Sequence, residues 1–249
     1  FIKDLDPQMN IALIILAAGK GTRMQSELPK ILHKVAGAPM LVHAMRAGRA
    51  LEPKRTIIVA GHGFEAVSAA ARTEDPDVEI AVQEAQLGTG HAVDQARDAL
   101  GDFDGTVLVL YGDCPLIQTR TLEELTATLN DSAVSVLGFE AKDPARYGRL
   151  ITDGDKLKRI VEFKDASPAE RAVTLCNSGV MAAPAHLLFD LLSEIDTDNA
   201  SGELYLTDVV GKAVARGLQC AVVRCAERET LGVNSRVELM QAEKEFQNL

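Results

Sequence analysis

Short apolar runs set off by small and polar residues recur through the first half of the chain, at residues 11–16, 56–60, 78–82 and 106–110. All four read as strands, and the first, uninterrupted and β-branched, reads as a strand covered on both faces. Between them, residues 40–51, 65–71 and 92–100 carry apolar side chains at helical spacing, and Gly101 supplies a stop for the last. Strand and helix in alternation predict an α/β fold, a doubly wound, mostly parallel, Rossmann-like sheet joined by right-handed crossovers. Ligands in such sheets bind beyond the carboxyl ends of the strands. Three loops satisfy that placement: residues 19–24, 61–63 and 111–113.

Beyond about residue 130 the pattern changes to hairpins. Residues 149–151 and 157–163 flank Thr152-Asp153-Gly154-Asp155, a turn signal, and this part is expected to form the other wall of the cleft. Residues 237–246 read as a final exposed helix. The expected organisation is therefore one domain over residues 9–236, the start of a linker helix at 237–249, and a loose extension at 1–8 before Met9.

With 249 residues and 47% hydrophobic content, the chain can bury a substantial core. A net charge of −10 and a pI near 5.0 argue against general affinity for nucleic acid or anionic membranes. No apolar segment approaches the roughly 18–20 residues that span a bilayer, and no signal-like apolar region opens the chain, so a cytoplasmic protein is expected. Residues 16–34 stand apart: Lys20, Arg23, Lys30 and Lys34 face a single acid, Glu27. A local basic pocket in an acidic protein suits a small phosphorylated ligand. Cys114, Cys176, Cys220 and Cys225 lack C-x-x-C spacing and are expected to be free, buried thiols.

Gly19 and Gly21 follow the first strand, where they let a ligand approach the main chain and successive N–H groups converge on an anion. The spacing is not the dinucleotide fingerprint, which requires a third glycine at position 24, nor a P-loop, which ends in Gly-Lys-Ser/Thr. With Arg23 and Leu28-Pro29-Lys30 it reads as an anion-binding loop. Asp113, closing an apolar strand, suits a Mg²⁺ ligand, since that ion takes one or two protein oxygens and fills its octahedron with water and phosphate. A helix cap or turn aspartate is the plain alternative. Asn234 could add a neutral oxygen, although an asparagine after Gly-Val is commonly a turn. Residues 83–92 place amides, a hydroxyl and glycines just before a helix, a set able to read a base edge. A polar loop capped by Thr89 is the plain alternative there, and His91 reads as a packed or capping histidine. Tyr147-Gly148-Arg149, Glu162-Phe163-Lys164-Asp165, Asn177-Ser178-Gly179 and residues 201–208 are individually weak signals. Together they offer carboxylates and amides that recognise sugar hydroxyls and an acetamido group.

Assembled, these residues resemble the nucleotide-sugar pyrophosphorylases, and most closely the uridyltransferase domains of bifunctional bacterial enzymes that make UDP-N-acetylglucosamine. Residues 16–24 with Pro29-Lys30 mark the superfamily. Residues 86–92, Tyr147-Gly148-Arg149, Asn177-Ser178-Gly179 and residues 202–208 mark the subgroup. The resemblance implies a nucleotidyltransferase fold with a hairpin-rich sugar-binding part. It also implies an Mg²⁺-dependent transfer from UTP to N-acetylglucosamine 1-phosphate, serving cell-wall and lipopolysaccharide precursors. By position, Ala17, Ala18, Gly19, Gln83, Gly88 and Thr89 would hold the uridine, and Arg23 and Lys30 would be the catalytic cations. Tyr111 and Gly112 would line the substrate, Gly148, Glu162 and Asn177 would contact the sugar, and Asp113 and Asn234 would share Mg²⁺. Ser178 and Cys114 depart from the usual residues without touching the chemistry. The repeat-built acetyltransferase of the bifunctional enzymes has no counterpart in these residues. A monomer is expected for this stretch, and a trimer if such a repeat domain exists. Two rival readings remain open: another sugar phosphate or triphosphate as substrate, or an inactive regulator that binds a sugar nucleotide.

Overall fold

In the computed structural model residues 10–248 are described. The expected extension at 1–8 lies outside them. In chain order the strands are β1 (Ile11–Ala17), β2 (Lys34–Val35), β3 (Ala38–Pro39), β4 (Arg55–Ala60), β5 (Glu79–Val82), β6 (Thr106–Tyr111), β7 (Val134–Glu140), β8 (Arg149–Asp153), β9 (Lys156–Val161), β10 (Leu175–Pro184) and β11 (Cys220–Cys225). The helices are α1 (Met40–Arg49), α2 (Phe64–Glu74), α3 (Thr89–Asp94), α4 (Arg97–Leu100), α5 (Thr119–Ala127), α6 (Pro168–Arg171), α7 (Ala185–Leu192), α8 (Asp208–Ala215) and α9 (Arg236–Phe246).

One sheet of nine strands runs β5-β4-β1-β6-β10-β7-β11-β9-β8. β5, β4, β1 and β6 are all parallel, as are β7 and β11. The mostly parallel sheet is therefore present, with two reversals: β10 runs antiparallel to both β6 and β7, and β9 runs antiparallel to both β11 and β8. β1 shows why the sheet is covered on both sides. Its alternate residues feed opposite cores, Ala12 and Ile14 into one and Leu13 and Ile15 into the other, all fully buried.

The structure redraws several elements. The helix expected at 92–100 begins earlier and splits into α3 and α4, because Ala96 N–H shifts to the carbonyl of Val93, a three-residue step, at 3.0 Å. The hairpin turn is tighter than expected, since β8 and β9 extend until only Gly154 and Asp155 separate them. The last helix is not simply exposed. Ala242 is buried, and Leu239 and Phe246 pack with Met24, Val35 and Met40, while Glu243 accepts the Ala36 N–H at 2.6 Å. Val237 and Met240 occupy its outer face. All four cysteines are free, with Cys114, Cys176 and Cys220 buried and Cys225 half-buried. Among the described residues no helix is long and apolar enough to cross a membrane.

Candidate active site

β1 delivers the chain at its carboxyl end into the glycine turn, and the neighbouring strand ends close around it. The Ala18 carbonyl accepts from the Gln86 side-chain amide at 2.6 Å, which ties the turn to the loop after β5. Gly21 takes φ +60, and a Cβ there would run into the Lys30 side chain, so the turn's conformation and the seat of Lys30 depend on the same glycine. Between these loops lies a cleft of about 350 Å³, with Ala17, Ala18 and Gly19 on one side and Lys30, Gln83, Gly88, Thr89, Tyr111 and Asp113 around it.

At one end of the cleft three side chains from distant parts of the chain converge. The Lys30 ammonium pairs with Asp113 Oδ2 and donates to Asn234 Oδ1 at 2.9 Å. The other carboxylate oxygen, Oδ1, accepts the Cys114 thiol at 3.7 Å. Burial, with Asp113 beside it, pushes the Cys114 thiol well above its ordinary range, which keeps it protonated as that donor. Asn234 reaches this point because Val233 N–H bonds the Asp113 carbonyl at 2.9 Å. The start of α9 then holds it. Glu238 Oε2 accepts from Asn234 N–H at 2.7 Å and from the Ser235 hydroxyl at 3.1 Å, and Ser235 Oγ in turn caps Glu238 N–H.

A carboxylate and an amide oxygen already share one cation here. That hard-oxygen pair beside the glycine turn fits Mg²⁺, which needs few protein ligands. Among the described residues no group of three or more His, Cys, Asp and Glu could hold a metal by itself.

The residues expected to contact the sugar gather next to the cleft. Glu162 Oε1 accepts the Thr207 hydroxyl at 3.1 Å, and its carboxyl lies against Gly148. Burial raises the Glu162 pKa above the ordinary carboxylate value; the Thr207 bond opposes this, and Asp208, Asp165 and Glu203 add to it. Asn177 N–H bonds the Gly148 carbonyl at 2.8 Å, while its Oδ1 accepts Gly179 N–H at 3.0 Å. Gly179, at φ +91, leaves room for the Tyr111 ring, which a Cβ would strike. Burial raises the Tyr111 phenol far above its usual range, so it stays neutral beside Glu162 and Asp113. Arg149, 2% exposed, donates to the carbonyls of Pro144, Ala145, Tyr147 and Arg171 and so wraps that loop around Gly148. A cavity of about 450 Å³ between Glu162, Phe163, Ser201 and Tyr205 opens on this side.

Two expected residues stand apart. Arg23 is exposed on the 3₁₀ turn Thr22–Met24 and does not line the cleft. Gly112 also lies off it, with its N–H spent on the Leu16 carbonyl at 3.0 Å and Leu41 and Ile31 where a Cβ would come. Gln86 and Glu203, both lining the cleft, lie in the expected polar stretches 83–92 and 201–208, but the sequence pattern gives them no role of their own. The polar pattern around Gly88 was their signal, since that loop is zipped to residues 204–206 by Leu204 N–H to Leu87 O, Gly90 N–H to Leu204 O, and Leu206 N–H to Thr89 Oγ1.

A family model for the MobA-like NTP transferase domain matches residues 13–197. Over 239 residues, 96% of the chain, the sequence is 60% identical to the bifunctional protein GlmU of Roseobacter denitrificans and 59% identical to that of Ruegeria pomeroyi. The match covers 53% of each, so the chain spans about half the length of these curated relatives. Among solved structures, it is similar to a UDP-glucose pyrophosphorylase complexed with UDP-glucose, with a TM-score of 0.77 at 17% identity, covering 96% of this chain and 99% of that one. It is also similar to a putative glucose-1-phosphate thymidylyltransferase from Bacillus anthracis in complex with a sucrose, with a TM-score of 0.74 at 21% identity and 96% of each chain covered. At such identities the likeness establishes the fold.

Proposed function

The chain belongs to the family of MobA-like NTP transferase domains, and we propose that it joins UTP and N-acetylglucosamine 1-phosphate into UDP-N-acetylglucosamine and pyrophosphate. The observation that carries this reading is the meeting of Lys30, Asp113 and Asn234 beside the glycine turn. The 60% identity to a bifunctional GlmU supports the choice of substrates. The reaction belongs to the cytoplasm, where nucleoside triphosphates are made, and its product supplies cell-wall precursors.

The attacking group is a phosphate oxygen, anionic at neutral pH, so no side chain has to remove a proton. It forms a bond to the α-phosphorus of UTP as the α–β bridge breaks and pyrophosphate leaves. The barrier is dominated by bringing two anions together and by charge on the leaving group. Lys30 places a positive charge between them, and the N–H groups of the glycine turn donate to phosphate oxygens. Arg23, on the neighbouring exposed turn, counters the outer phosphates. Asp113 and Asn234 would hold Mg²⁺, which when bound neutralises and aligns the phosphates. Gln83, Gly88, Thr89 and residues 17–19 hold the uridine, with Tyr111 lining the pocket and Gly112 backing it through its N–H on the Leu16 carbonyl. Gly148, Glu162 and Asn177 orient the sugar.

Pyrophosphate release, measured over a matrix of nucleoside triphosphates and sugar 1-phosphates with and without Mg²⁺, tests the reading. Release is expected with UTP and N-acetylglucosamine 1-phosphate, and only with the metal. Preference for a different pair, or tight binding with no release, overturns it.

A further inference from the structure

Gln83 is held in place twice over. Its backbone N–H bonds the Ala60 carbonyl at 2.8 Å, and its side chain, 4% exposed, is clamped at the nitrogen end of the amide. Nε2 lies 3.0 Å from the Gly88 carbonyl and 3.0 Å from His91 Nδ1. A carbonyl can only accept, so the NH₂ group has to be the end that faces Gly88. The second N–H then goes to His91, which must offer an unprotonated Nδ1. Among the described residues no donor takes up Gln83 Oε1, and this residue lines the cleft.

A second amide competes for the same ring. Gln95 Nε2 is 3.3 Å from His91 Nε2 and 3.2 Å from the His91 carbonyl. A neutral imidazole has one lone pair to give. The shorter pair of contacts, at Gln83, claims it, and Nε2 carries the ring proton. The Gln95 NH₂ group keeps the His91 carbonyl as its acceptor, so its 3.3 Å approach to Nε2 is a contact and not a second claim on the lone pair.

We infer that His91 is a positioning residue for base selection: by accepting one Gln83 N–H it keeps the Gln83 oxygen turned into the cleft, where it accepts a ring N–H. Uracil presents a donor, N3–H, in this position, whereas cytosine presents a bare N3 that the oxygen repels. Thymine carries the same N3–H as uracil, so His91 does not separate those two. The inference rests on the uridyl-transfer reading, and it adds a residue that touches neither base nor phosphate. A polar site whose partner is left unpaired discriminates strongly against the wrong ligand.

The test measures kcat/KM for UTP, CTP and dTTP with the whole chain, Mg²⁺ and saturating N-acetylglucosamine 1-phosphate. His91→Leu removes the acceptor, so the UTP-to-CTP ratio should fall by about tenfold or more, while the UTP-to-dTTP ratio and the KM for the sugar phosphate stay put. His91→Asn, whose Oδ1 stands near the Nδ1 position, should retain the wild-type ratio. Equal loss for all three triphosphates overturns the inference, because a purely structural role predicts that result. The wild-type protein gives an independent readout. Long-range ¹⁵N–¹H correlation of the His91 ring should show the Nε2–H tautomer, and the Nδ1–H tautomer overturns the inference even if His91→Leu fails to fold. Failure of the reaction reading looks different: the wild-type chain would then release no pyrophosphate from UTP, whatever the His91 tautomer.

Discussion

Lys30 Nζ lies 2.9 Å from Asn234 Oδ1 although the two residues stand 204 positions apart in sequence, and the same ammonium pairs with Asp113. The arrangement gathers opposite charges at one end of a cleft that Gln83, Gln86, Thr89, Tyr111 and Glu203 also line. With side chains only 11% and 16% exposed, Lys30 and Asp113 interact in a setting where water screens them weakly.

Removing either member should abolish the charge balance that lets two anions meet. Lys30→Ala and Asp113→Ala are each expected to lower turnover by ~100-fold or more, on the order of 3 kcal/mol. Asp113→Ala should in addition cost about 1–3 kcal/mol of stability, because the Lys30 ammonium keeps only an amide partner. Steady-state kinetics and urea titration of the two variants check both statements; near-normal turnover in either removes that residue from the chemistry.

Ser235 touches no cleft residue except through Glu238 and Asn234. Ser235→Ala loses the cap on Glu238 N–H and one partner of Glu238 Oε2, at about 1 kcal/mol. With Asn234 held less firmly, the Mg²⁺ concentration needed for half-maximal activity should rise several-fold, and Ser235→Thr should restore it. A stability loss with an unchanged metal requirement would confine Ser235 to holding the helix.

Glu162 is expected to trade stability for binding. Its folded pKa is raised, mainly by burial, so the folded chain holds this proton more tightly than the unfolded chain does. The charged form therefore destabilises the fold at neutral pH, and the cost fades as pH falls through the raised value toward the ordinary 4.5. Glu162→Gln should melt higher than the wild type at pH 7.5, with the gap closing on acidification. Its KM for the sugar phosphate should rise about tenfold, roughly 1.4 kcal/mol. Calorimetry across that pH range decides the first point. A wild type that melts higher at neutral pH would reverse the sign.

Much of the fold is local information. The parallel strands β1, β4, β5 and β6 announce themselves as β-branched runs, and Gly154 with its acidic neighbours announces the β8–β9 hairpin. The glycine turn, Lys30, Asp113 and the amide-bearing loop at Gln83 could also be picked out, because each sits at the end of a strand whose direction the alternation implies. Residue type alone could not say which polar groups would be consumed by the fold. Gly112 spends its N–H on Leu16, Arg149 disappears beneath backbone carbonyls, and Arg23 stays outside the cleft.

The residues by themselves determined the alternation of strand and helix, the buried first strand and the chemical types at the turns, since periodicity and turn chemistry act over a few neighbouring positions. Only the tertiary structure decided that β10 runs backwards between β6 and β7, that the last helix packs on the domain, and that Asn234 meets Lys30 and Asp113. Those outcomes depend on pairings between segments far apart in the chain, where burial of apolar faces and satisfaction of backbone donors choose the partner, and no local pattern encodes that choice.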